Sequence, residues 1–128
     1  MLETSKEVMG NGEIRYRMKA NDGSGYIRTV YQGAGCGDRG AWQNSHYHLS
    51  TLETYIVQSG SILFAELHDG VPVVKQYTSG EIVTAKVGVP HNVFVRPGTD
   101  LHTVKHGDVV ADDWHPSPEL DLALADLD

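Results

Sequence analysis

From Glu53 to Lys105 the chain is a succession of short β-rich runs, each closed by a turn that contains glycine. Glu53 to Gln58 ends at Ser59-Gly60, and Ser61 to His68 ends at Asp69-Gly70, a pair suited to a two-residue hairpin. Val71 to Tyr77 returns with Pro72 near its start. Proline cannot donate to a ladder, so this run belongs at a sheet edge. Ser79-Gly80 turns the chain into Glu81 to Lys86, and Gly88-Val89-Pro90 bends it into His91 to Val95. Arg96-Pro97-Gly98 then leads to the last run, Leu101 to Lys105. Short, evenly spaced strands with no helix-period segment between them predict an all-β sandwich or barrel.

The flanks extend this pattern. Glu13 to Ala20 alternates, with Ile14, Tyr16 and Met18 on one side and Arg15, Arg17 and Lys19 on the other, as in a half-buried strand. Asn21 to Gly25 is a turn, and Tyr26 to Gln32 is a second β-rich run whose Arg28 faces core, cavity or water. Gly33 to Gly40 is glycine-rich. No Gly-Lys-Ser/Thr and no helix follow it, so it is read as a connection rather than a phosphate loop, and Cys36 within it as an inert thiol. In the tail, Ser117-Pro118-Glu119 reads as N-cap, first-position proline and first-turn acid. Leu120, Ala123, Leu124 and Leu127 then fall on one stripe, which predicts a short helix over about 118–127 packed on the barrel or on a neighbouring subunit. Asp121, Asp126 and Asp128 are its solvated face.

Chemistry concentrates between Gly40 and Gly60. His46-x-His48 in extended backbone puts both imidazoles on one face, because strand side chains alternate with period two. A bend from Leu49 to Leu52 can return the chain so that Glu53 points at the same spot. Two imidazoles and a carboxylate converging on one point suit a divalent transition metal. A His-x-His pair alone more often means two surface histidines near a turn.

The balance of charges narrows the partners. The 128 residues suffice for one domain, 1–128, with a proper core. Seventeen acidic against ten basic residues give a net charge of −7, which argues against nucleic acid and anionic membranes. Few arginines also weigh against polyphosphorylated substrates. No apolar run is long enough for a membrane helix. The first residues carry no signal-peptide pattern, and a single cysteine fits a reducing compartment, so a cytoplasmic protein is expected.

The spacing then becomes specific. Gly40, five residues, His46-x-His48, four residues, Glu53, six residues and Gly60 resembles the first motif of the cupin superfamily in each fixed position. Gly80, five residues, then a stretch with Gly88, two residues and His91 resembles the second motif, over about 80–95. Lys86 stands where the family pattern usually has proline, and Val95 where it usually has asparagine. The resemblance implies a double-stranded β-helix, the cupin or jelly-roll barrel, with a short C-terminal helix. It also implies that His46, His48, Glu53 and His91 are ligands of a divalent metal (Fe, Mn, Ni, Co or Zn). His68, His102, His106 and His115 are read as surface or structural groups. Tyr55 shares a strand face with Glu53 and is the candidate catalytic side chain, as acid, base or hydrogen-bond donor; plain cavity lining is its other reading. Trp42, Phe64 and Phe94 are packing residues.

For function, the resemblance implies a metal-dependent enzyme acting on a small organic molecule. Dioxygenase-type chemistry comes first, and isomerisation, epimerisation or elimination second. A non-catalytic module that holds or senses a small molecule through the metal is the alternative from another class. The expected assembly is a homodimer formed through sheet edges, with the leucine stripe of the tail as extra apolar surface.

Overall fold

The computed structural model describes residues 2–33 and 40–126. Cys36, Leu127 and Asp128 lie outside the described residues. The strands in chain order are β1 (Leu2–Val8), β2 (Ile14–Ala20), β3 (Gly25–Tyr31), β4 (Ala41–Trp42), β5 (His46–Tyr47) and β6 (Thr51–Ser59). There follow β7 (Ser61–His68), β8 (Val71–Thr78), β9 (Ile82–Ala85), β10 (His91–Val95), β11 (Thr99–Gly107) and β12 (His115–Pro116), then helix α1 (Pro118–Ala125). One sheet has the order β1-β2-β3-β11-β6-β9; the other has β12-β5-β10-β7-β8, with β4 also pairing β10. The strand pairs are antiparallel, and consecutive β6 and β7 lie in different sheets. This is a jelly-roll barrel. The edge place of β8, with Pro72 in it, is the one its sequence demands.

The sheets enclose a core of Tyr31, Tyr55, Val57, Ile62, Phe64, Ala85, Val93, Val95 and Leu101. Strand register grades this interior from apolar to polar. Leu101 pairs with Val57, Thr103 with Tyr55, and Lys105 with Glu53, so each two-residue step along β6 and β11 moves toward the polar end. On β10 the same progression runs from Val95 through Val93 to His91. Val95, wholly buried and paired with Ile62, makes the family's usual asparagine position part of the apolar core.

Two elements depart from the sequence reading. The alternation of β2 is present, but its basic face turns inward: Arg15 and Arg17 line the barrel cavity, while Tyr16 and Met18 are about 40% exposed (39% and 42%). The apolar core is filled by β6, β7, β10 and β11, so the apolar side of an outlying strand has no interior to join. β1 gave no periodic signal because it is an edge strand, exposed along its whole length. Neither of its faces is buried enough to select one residue class.

Helix α1 forms as its cap predicts, with Ser117 Oγ accepting from the Leu120 amide at 3.3 Å. Leu120 and Leu124 are buried with Ala65 and Leu67 on the outer side of β7, and Trp42 packs beside them. Leu120 and Leu124 of the stripe are therefore spent on their own barrel. Asp121 corrects the reading of a purely solvated acidic face: its Oδ1 accepts from the Ser45 amide at 3.0 Å, directly before His46. Among the described residues no helix is long and apolar enough to cross a membrane.

Candidate metal centre

Four side chains from three parts of the barrel meet at its polar end. His46 comes from β5, His48 from the segment after it, Glu53 from β6 and His91 from β10. His46 and His91 are directly paired across their strands. His46, His48 and His91 place Nε2 at 3.1, 3.2 and 2.9 Å from Glu53 Oε1. All four candidate ligand atoms lie within 4.8 Å of one another, and all four residues are buried. Neighbouring ligands at right angles around an ion with bonds of ~2.1 Å are about 3.0 Å apart, so the spacing suits a shared cation.

The ring nitrogens turned away from this point strengthen the fit. Nδ1 of His46 meets the Asn44 carbonyl at 2.9 Å, Nδ1 of His91 meets the Val89 carbonyl at 3.2 Å, and Nδ1 of His48 meets the Asp113 carbonyl. A carbonyl oxygen only accepts, so each Nδ1 carries the proton and donates. In a neutral ring Nε2 is then a lone pair. Three lone pairs and a carboxylate oxygen thus face one another in a buried space. Such a donor set is satisfied by a cation, and carbonyl-anchored imidazoles are the usual support of metal-binding histidines.

The same opposition shows in the proton affinities. Burial pushes the Glu53 carboxyl up, but its contacts with three imidazoles outweigh this and hold it well below the usual carboxylate range. For His48, burial pulls the imidazole down, while Glu53 and the Asp113 carbonyl overcome it and leave a net rise. At His91 burial dominates and the net shift is downward.

Tyr55 is where the sequence placed it, on the wall beside Glu53. Its hydroxyl donates to Glu53 Oε1 at 2.7 Å. Burial first, then the charge and hydrogen bond of Glu53, push the phenol well above its ordinary value. The other histidines have separate occupations. His102 contacts Tyr26 Oη and Gln58, His106 contacts Thr54, His68 contacts Glu66, and His115 stacks on Tyr47.

A cavity of about 260 Å³ opens against this cluster, lined among others by Arg15, Arg17, His46, Glu53, Tyr55 and Lys105. Trp114 covers one side, its indole stacked on His46 with centroids 5.2 Å apart. Sequence reasoning missed Arg15, Arg17, Lys105, Asp113 and Trp114. A signal existed for Lys105, since it shares strand parity with Leu101 and Thr103 and so breaks an inward-facing series. Asp113 offered none, because it acts on backbone 62–64 residues away.

Asp113 is the clamp of the bend between His48 and Glu53. It accepts from the amides of Leu49, Ser50 and Thr51 at 2.7, 3.0 and 2.8 Å, and from Ser50 Oγ at 3.2 Å. Burial pushes its carboxyl up, but these amides outweigh burial and hold it far below the usual range. A depressed carboxyl stabilises the fold above its unfolded pKa of about 3.9 and loses that contribution as pH falls toward the folded value. Asp113→Asn should therefore cost about 1–3 kcal/mol at neutral pH. In urea unfolding followed at several pH values, the gap between variant and wild type should narrow below about pH 4. A gap independent of pH would remove Asp113 as the clamp.

No protein-family model and no curated protein sequence matches the chain. Its fold does match solved structures. Oxalate decarboxylase from Bacillus subtilis at pH 4.6 superposes with a TM-score of 0.67 at 13% identity, over 96% of this chain and 34% of that one. A structure concerned with the Mn(II) centres of the same enzyme gives 0.66 at 14% identity, with the same coverage of 96% and 34%. Streptomyces Pac13 with uridine, a nucleoside dehydratase, gives 0.66 at 12% identity, over 93% of this chain and 91% of that one. This chain spans about a third of the oxalate decarboxylase chains and nearly the whole length of Pac13. A β-barrel with these neighbours, and with three histidines and a glutamate gathered at its polar end, has the cupin fold in its single-barrel form.

Proposed function

We propose that this protein is a metal-dependent enzyme that transforms a small organic molecule in the barrel cavity. The observation that carries this reading is the proton arrangement of the cluster: three imidazoles anchored through Nδ1 turn their Nε2 atoms on one buried carboxylate oxygen. His46, His48, Glu53 and His91 would hold the ion. Fe, Mn, Ni, Co and Zn all accept such a donor set, and Mn(II) is the metal named for the oxalate decarboxylase structure. When bound, the ion supplies Lewis acidity and, if redox-active, a site for electron transfer to oxygen. The cavity volume lies just under the roughly 300–1,000 Å³ of sites for drug-sized ligands, in keeping with a small substrate.

Dioxygenase-type chemistry is the first reading, because it asks least of a protein base. Tyr55, the candidate acid or base, has its proton committed to Glu53 and its phenol pushed up, so its part is to hold the ligand carboxylate in place. Lyase chemistry is the second reading. It is favoured by Lys105, which pairs across the strands with Glu53, lines the same cavity and could move a proton, and by neighbours that are a decarboxylase and a dehydratase.

The test is metal analysis of protein purified without chelator, followed by oxygen-uptake assays with catechols, thiols and diketones. Bound iron with substrate-dependent oxygen consumption is the expected result. Stoichiometric zinc or nickel with no uptake would sink the dioxygenase reading. Metal and ligand binding without turnover of any kind would turn the site into a sensing module.

A further inference from the structure

The cavity wall carries a charge pattern opposite to that of the chain. The protein has net charge −7, yet three of its ten basic residues, Arg15, Arg17 and Lys105, line this one cavity, and Glu53 is the only acid among its described lining residues. Strand register shows how they converge. Lys105 lies opposite Glu53 on the β11–β6 pair. In the next row Tyr55 faces Thr103, Thr103 faces Ile27, and Ile27 faces Arg17. Leu101, Thr29 and Arg15 form the row after that. Directly paired residues share a sheet face, so the three cations look into the space that the metal cluster borders.

Their charges are not spent alike. Arg15 is fixed by Glu13, which is 1% exposed and accepts from Arg15 Nε at 3.0 Å and Nη2 at 2.8 Å. Gln43 Nε2 and Asn11 Nδ2 hold the same carboxylate at 3.0 Å each. Arg17 donates through Nε to Glu7 Oε1 at 2.6 Å, leaving its terminal nitrogens for another acceptor. Lys105 makes no ion pair among the described residues. Its cross-strand neighbour Glu53 is already engaged by three histidines and Tyr55. A partly buried lysine without an ion pair, lining the same cavity as a guanidinium with N–H groups to spare, makes a binding place for an anion.

We infer that the cavity selects small carboxylates, with the acid group held by Lys105 and Arg17 while the rest of the molecule extends toward His46 and Glu53. Arg15 is matched by Glu13 and adds no net charge to the same wall. This names the substrate class of the site proposed above. It rests on that reading for where reaction occurs, but not for how the acid group is bound. Phosphate esters of any size fit less well, since the wall is short and one of its arginines is already bonded by a buried glutamate. A neutral molecule would leave Lys105 unmatched.

Calorimetric titration with malonate, succinate and glutarate, each set against its diamide, tests the inference. Wild type, Lys105→Met and Arg17→Gln are compared with their metal content measured beside each titration, and wild type is repeated after metal removal. At least one diacid should bind while its diamide does not. Each variant should weaken that binding roughly 10- to 100-fold, as expected for a lost charge-assisted hydrogen bond, and Lys105→Arg should restore most of it. The side-chain hydrogen bond of Arg17 goes to Glu7 and not to the four clustered residues, so Arg17→Gln should keep its metal. Diamides binding as well as diacids, no diacid binding at all, or both variants binding like wild type would overturn the inference. If diacids bind with this variant dependence to a protein that takes up no metal, the metal-enzyme reading fails and the carboxylate site stands. If metal and turnover are present without carboxylate selectivity, the reverse holds.

Discussion

Glu53→Gln should strip the protein of its divalent metal while leaving the barrel folded. Glutamine has nearly the same shape, and its amide NH₂ can donate to imidazole lone pairs that the carboxylate can only face. Placed where Oε1 now lies, the NH₂ has two hydrogens for the three Nε2 atoms within 3.2 Å, while the Tyr55 hydroxyl, which donates to that same oxygen, loses it as an acceptor. What disappears is the negative charge that makes the donor set suitable for a dication. Loss of an outer hydrogen bond to a metal ligand costs about 10–100-fold in affinity, and loss of the charged ligand itself should exceed that. Emission spectrometry after dialysis should find metal near one per chain in wild type and near none in the variant. Their melting profiles, recorded metal-free, should stay similar. His91→Ala should lose the metal too, but at a cost in stability, because His91 is 1% exposed and its removal leaves a hole. Stoichiometric metal in both variants would show that the ion is held elsewhere.

Legibility of this chain follows from how local the physics of each feature is. The strands from β6 to β11 could be read because glycine turns and alternation act within a few residues; β7 and β10 have the bounds that the sequence suggests. The four clustered side chains could be placed because motif spacing carries the return of the chain with it. Orientation of β2 could not. Alternation gives two faces, and which one meets the interior depends on where the strand sits in the sheet. That one ambiguity hid two informative residues of the cavity, Arg15 and Arg17. Asp113 was hidden for another reason: a carboxylate that clamps three amides contributes to backbone geometry, and a side chain that accepts from backbone N–H groups leaves no trace in residue spacing.

The four motif glycines look equivalent in sequence, but their surroundings predict two classes of outcome. All four have positive φ, +101° at Gly40, +81° at Gly60, +86° at Gly80 and +78° at Gly88. At Gly80 and Gly88 an added Cβ would meet nothing within 4 Å, so alanine costs only the left-handed conformation, about 1–2 kcal/mol. At Gly40 it would lie 2.2 Å from the Val95 carbonyl oxygen. At Gly60 it would lie 2.6 Å from Thr99 Cα and 2.7 Å from the Gly98 carbonyl oxygen. These are backbone atoms of β10, of β11 and of the turn that leads into it, and they cannot step aside, so an overpacking cost of about 1–3 kcal/mol adds to the conformational one. Gly40→Ala and Gly60→Ala should each lose about 2–5 kcal/mol, a large part of the ~5–15 kcal/mol that holds a domain together. Urea unfolding should show this as midpoints well below those of Gly80→Ala and Gly88→Ala, with similar slopes. Equal losses at all four positions would mean that only the φ requirement matters. Metal titration separates the two severe variants. Gly40 precedes β4 and the Gln43-Asn44 segment whose carbonyl orients His46, so its substitution should weaken metal binding as well as stability. Gly60 lies at the apolar end, beside Thr99, and a folded Gly60→Ala protein should bind metal as tightly as wild type.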